Sequence, residues 1–143
     1  LYEVQVEAAQ EPVVRQELEA AIAAGWIVPR SIRDFDDLRE LAMLCKRLGR
    51  GESACIIFQN SRGGGVFLTD DKKAWREASR RKLVVHSSLW ALYESVQRGH
   101  ATPTDVDRYI AAWKAGGARL PSHVNTYQDL LVEYGPGNTG TLW

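Results

Sequence analysis

The chain has 143 residues, 45% of them hydrophobic and 25% charged, the balance of one soluble globular domain able to bury a core. Eighteen basic and eighteen acidic residues cancel, so bulk charge gives no ground for nonspecific nucleic-acid affinity and leaves only local basic patches to consider. No apolar run nears the ~20 residues that cross a bilayer, and no basic-then-apolar leader opens the chain, so no membrane association is expected.

From the N-terminus, Tyr2-Glu3-Val4-Gln5-Val6 reads as a short strand. Glu11-Pro12 then opens a helical pattern through Val13, Val14, Leu18, Ala21 and Ile22, which Gly25 stops. Trp26-Ile27-Val28 predicts a short extended piece ended by Pro29. Asp34 or Asp36 caps a helix whose apolar side carries Phe35, Leu38, Leu41, Leu44 and Leu48. Gly51-Glu52-Ser53 starts another, with Ala54 to Phe58 apolar nearly all round and therefore expected at the centre. Cys45 and Cys55 fall in these helical patterns without CxxC spacing, predicting two reduced, buried thiols and a reducing, cytoplasmic setting.

Gly63-Gly64-Gly65 marks a tight turn before a buried strand, Val66 to Thr69, which runs into Asp70-Asp71. The next helix places Ala74, Trp75 and Ala78 inward and Lys72, Lys73, Arg76, Arg80 and Arg81 outward. Leu83-Val84-Val85 is a further strand, and Ser87-Ser88 caps a helix to Gln97. Thr102-Pro103-Thr104-Asp105 starts a helix to Ala115, and a last one runs from about Val124 to Tyr134. Strands alternating with helices predict a single α/β domain over residues 1–134, a three-layer α/β/α sandwich with a mainly parallel sheet, followed by a loose tail at 135–143.

Ligands of such sheets sit beyond the carboxyl ends of the strands, which is where Asp70-Asp71 falls. Two readings compete there. Locally, the pair is an N-cap and its acidic neighbour beside a helix N-terminus. Alternatively, it supplies oxygen ligands to a hard cation. Glu52, at the entrance of an apolar helix leading directly into the same strand, favours the second reading, because both acids would face one edge of the sheet. Other chemistries find little support. His86, His100 and His123 lack zinc spacing, Ser87-Ser88 has no evident base partner, and the glycine run precedes its strand, as a phosphate loop would not.

The order Leu-Gly-Arg-Gly-Glu-Ser-Ala (48–54), Val-Phe-Leu-Thr-Asp-Asp-Lys-Lys-Ala (66–74) and Leu-Val-Val-His-Ser-Ser-Leu-Trp-Ala-Leu (83–92), followed by a helix ending at Arg98-Gly99, resembles the PIN-domain family over about residues 2–132. The branch it looks most like carries "LGxGE" and "DDxxA" motifs. The resemblance implies a Mg²⁺- or Mn²⁺-dependent ribonuclease, often the toxin of a bacterial toxin–antitoxin pair, in which clustered acids hold ions that activate a water against an RNA phosphodiester. Residue by residue, it implies Glu52, Asp71 and Asp70 as catalytic metal ligands, with Glu11 as first choice and Glu17 as second for the acid after an earlier strand. Arg50, Lys72, Lys73, Arg76 and Ser87 would contact RNA phosphate. RNA, an antitoxin protein and a second copy of the chain are the implied partners. The family's opening strand, which ends in an aspartate, is missing from this sequence, and a silent PIN-like module binding protein or RNA is the alternative function.

Overall fold

A computed structural model describes residues 12–137 of the chain. The predicted strand at Tyr2–Val6, the candidate ligand Glu11 and the end of the tail lie outside them. The first described helix, α1, spans Pro12–Ala23 and ends at a turn through Gly25, whose φ of 78° suits glycine. Trp26-Ile27-Val28 is not a strand. It forms a turn and an irregular segment without a pairing partner among the described residues, and Trp26 is 86% exposed.

Helix α2 spans Phe35–Leu44, and Asp34 is its cap: the carboxylate accepts hydrogen bonds from Asp36 N at 3.0 Å and Asp37 N at 3.2 Å. Helix α3 spans Arg50–Arg62. It is central on one side only, with Ser53, Ile56 and Ile57 buried, whereas Cys55 on its other flank is exposed. The expectation of an all-round buried helix and of buried thiols is thus corrected, since Cys45 too is exposed. Three successive glycines then reverse the chain with φ of 67°, 75° and 83°, a run of left-handed backbone that only glycine adopts without strain.

The sheet is a parallel pair, β1 at Phe67–Leu68 and β2 at Val85–His86, in the register Phe67↔Val85 and Leu68↔His86. It is shorter than the predicted strands, and only Phe67 of β1 is buried, with Val66 and Leu68 43% and 48% exposed. Between the strands, α4 spans Lys72–Arg80 and packs Ala74 and Ala78 fully inward. Helices α5 (Ser88–Gln97), α6 (Pro103–Ala115) and α7 (Tyr127–Tyr134) complete the described chain, and α6 opens on the capping box formed by Thr102 and Asp105. Seven helices and a small parallel sheet make the described domain α/β.

Two apolar clusters hold these elements. One joins α2, α3, β1 and α4 through Leu44, Ile56, Ile57, Phe67, Ala74 and Ala78. The other joins α5, α6 and α7 through residues such as Leu89, Val106, Ile110 and Leu130. Burying each such aliphatic side chain contributes about 1.5–3 kcal/mol before the entropy of ordering it. Phe35 and Leu38, expected on the apolar face of α2, stay 76% and 43% exposed because nothing described packs over that end of the helix.

Charge also enters the first core. Glu77 is 8% exposed and accepts hydrogen bonds from Arg80 at 2.6 Å and Arg81 at 2.8 Å, with Arg47 at 3.7 Å. Arg81, expected to face solvent, is instead 13% exposed and also reaches Glu40 on α2. The bond from Arg80 foremost, with that from Arg81, holds the Glu77 carboxyl down at about 2 in spite of its burial. A carboxyl depressed below its unfolded value stabilises the fold fully above the ordinary glutamate range of about 4.3 and loses that contribution as pH falls towards 2. Thermal melts should therefore show stability declining between about pH 5 and pH 2, with a smaller decline in Glu77→Gln. Glu77→Ala should cost roughly 3 kcal/mol in urea unfolding by leaving Arg81 buried and half-paired; a loss under about 0.5 kcal/mol would mean the cluster is merely a surface network.

Candidate functional site

The parallel register fixes where the acids fall. Phe67 N donates to Val84 O and Thr69 N to His86 O, both at 2.9 Å, so the residues that follow each strand come level with one another. Asp70 thereby lies opposite Ser88. Its Oδ1 accepts from Ser88 N at 3.0 Å and its Oδ2 from Ser88 Oγ at 2.5 Å. Both carboxylate oxygens are engaged, yet each keeps a second lone pair, and the residue is exposed. The bond pair orients a surface carboxylate at the carboxyl end of the sheet.

Asp71 does different work. It caps α4, its Oδ1 accepting from Lys73 N and Ala74 N at 2.8 Å each, while its own amide donates to Thr69 Oγ1 at 3.2 Å. These bonds leave Oδ2 outside the cap. The local reading of the pair as a cap is therefore right for Asp71, and Asp70, one residue before the cap, is the acid turned across to the neighbouring strand.

Glu52 sits in the first turn of α3 and is half-buried. Its side chain folds back over Gly49, the N-cap residue, so that a Cβ on Gly49 would overlap Oε2. The short turn at Gly63–Gly65 makes α3 antiparallel to β1, which brings the start of the helix to the end of the strand. Arg50 and Gly51, beside Glu52, line the same groove as Leu68, two residues before Asp70. Among the described residues, though, no three acids, histidines or cysteines gather as a metal-binding group. The donors fit a hard divalent cation in kind, being carboxylate oxygens, but fall short in number. Glu11 lies outside the described residues, and Glu17 is an exposed residue of α1.

The residues expected to touch phosphate divide. Arg50, Lys72, Lys73 and Arg76 are exposed around the acids. Ser87 is not available: it is 1% exposed, caps α5 through a bond from Trp90 N at 3.3 Å, and its hydroxyl lies 2.8 Å from Tyr134 Oη. Ser88 is the serine that faces Asp70.

Tyr134 is the residue that sequence reasoning missed. It comes from the end of α7, and burial first of all pushes its phenol up to about 12, so it stays a neutral hydroxyl beside the serine pair. Only the packing of α7 on α5 brings it there, a contact spanning 47 positions that no local pattern announces. Next to it, His86 stacks on Trp90 with ring centroids 4.1 Å apart, and burial lowers its pKa. That keeps the imidazole neutral as a packing partner.

Comparison with known proteins agrees with this arrangement of acids at a strand end. A family model described as a PIN domain matches residues 1–135. Searches of curated proteins and of solved structures give no match. No described helix is long and apolar enough to cross a membrane. With nearly its whole length covered by that model, the chain belongs to the PIN-domain family.

Proposed function

We propose that the protein is a divalent-metal-dependent endoribonuclease, the toxin of a bacterial toxin–antitoxin pair, acting at the end of β1. PIN domains are generally nucleases. The observation that carries the reading to this site is Asp70: an exposed carboxylate held by the Ser88 amide and hydroxyl, with Asp71 adjoining it and exposed cations around both.

In this reading Asp70, Asp71 and Glu52 would hold Mg²⁺ or Mn²⁺ together with Glu11, and Glu17 is the second choice for that last ligand. The ion would supply a more acidic water and offset the charge that builds on the phosphate. The protein's own contribution is positioning. Ser88 fixes the plane of the Asp70 carboxylate, the cap bonds fix Asp71, and Arg50, Lys72, Lys73 and Arg76 draw in the RNA backbone. The antitoxin and a homodimeric state belong to the same proposal, as does a cytoplasmic setting.

A second reading is favoured by one observation, the absence of a three-ligand group among the described residues. On it the chain is a silent PIN module that binds RNA or protein without cutting.

Single substitutions separate cap from chemistry. Asparagine caps helices about as well as aspartate, so Asp71→Asn should shift stability by less than about 0.5 kcal/mol, whereas Asp71→Ala should cost about 1 kcal/mol. With Mn²⁺, both should cut a labelled RNA at least about a hundredfold more slowly than the unmodified protein, since a metal ligand is lost in each. Asp70→Asn should behave as Asp71→Asn does. If the unmodified protein leaves RNA intact, or Asp71→Asn cuts equally fast, the silent module is the correct reading.

A further inference from the structure

The two-stranded sheet ends at an edge that is open on one side. Phe67 and Thr69 turn their N–H groups towards β2, so the alternation of a parallel ladder turns the N–H and C=O of Leu68 the other way. No strand pairs with that edge among the described residues. Unpaired edges of this kind are templates for a further strand.

The space beside the edge is flanked on both faces. On the side of α3 there is a groove of about 980 Å³, lined by Ile22, Ile32, Leu38, Phe58, Val66 and Leu68 among others. On the side of α5, Val66 and Leu68 also border a smaller cleft of about 420 Å³, walled by Trp90 and Ala91. Side chains of an extended chain alternate between faces, so a strand added here would send one set into the groove and the other into the cleft. Both sets would meet apolar surface, the environment of a strand inside a sheet rather than at its rim.

Charge indicates what the strand carries. The groove is lined by Arg30, Arg50 and Arg62 and by no aspartate or glutamate. Arg62 lies over the Phe58 ring at 5.9 Å, which keeps its guanidinium at the mouth of the groove. Inside, Gln59 donates to Gly65 O at 2.8 Å and Val84 O at 3.3 Å, while its buried Oε1 has no hydrogen-bond partner. That is an acceptor left unsatisfied beside the open edge.

We propose that this edge is a docking site for an extended segment of a protein partner, apolar in its middle and flanked by carboxylates, which adds to β1 as a third strand. Main-chain bonds to Leu68 would give affinity, and the two clefts with the three arginines would select the sequence. The site does not depend on the nuclease reading, because none of its contacts involves the acids at the strand end.

The test uses the full chain and a fluorescein-labelled peptide of four central valines and isoleucines with glutamates at both ends. Anisotropy should show saturable binding, and the same core flanked by lysines should bind at least about tenfold more weakly. Leu68→Pro removes the edge donor without touching the bonds to β2, and it should abolish binding; Arg62→Glu should weaken it at least about threefold. If Leu68→Pro fails to fold, amide exchange in the unmodified protein still decides. The Leu68 amide should exchange quickly alone and become protected when the peptide is added. Absence of binding, or binding indifferent to Arg62→Glu, overturns the proposal. So does protection before any peptide is added: if it is independent of protein concentration, the edge belongs to the chain's own N-terminal residues, and if it grows with concentration, to a second copy.

Discussion

Two backbone hydrogen bonds between β1 and β2 set everything that follows at the candidate site. A strand period of two residues means that a slip of one would turn Phe67 out of its core and Leu68 into it. In the observed register Phe67 closes the apolar cluster of α2, α3 and α4, and Asp70 falls level with Ser88. Core packing and carboxylate placement are thus one decision. The interior side chain enforces the register, and the register delivers the acid.

Helix ends act in the same direction. Asp34 and Thr102 each close a helix start with their own side chain, and Asp71 does so for α4 while standing beside Asp70. A carboxylate that already accepts two amides cannot swing freely, which reduces the ordering cost of any ligand it later meets. Glu52 has no such tether to a distant strand. It lies against its own N-cap over Gly49, and an ion bound with Asp70 would have to draw it away.

Much of this was legible in local chemistry. Caps, the capping box and the glycine turn depend on neighbours within four residues, and the sequence reading placed them at or next to the observed positions. The parallel pairing followed from strands alternating with helices. What local patterns could not carry were contacts across the chain. Arg81 has the spacing of a solvent residue, but Glu77 and Glu40 turn it inward. Trp26–Val28 has strand-like composition but no partner strand, and composition alone does not make a strand. Tyr134 reaches Ser87 only because α7 packs on α5. The family resemblance was legible for a different reason: its motifs are the short segments at strand and helix ends, which local chemistry constrains most.

The two apolar clusters have a consequence for motion. Asp70 follows β1, which belongs to the first cluster, while Ser88 opens α5, which belongs to the second. Their hydrogen bonds cross the seam between two bodies, each held by its own packing. Local opening of a domain concentrates where few apolar contacts cross, so this seam is where the fold can yield without losing either core. A small rotation of one body on the other would release the carboxylate from its serine and change its direction. The geometry of the site is therefore a gauge of how firmly the two halves are clasped.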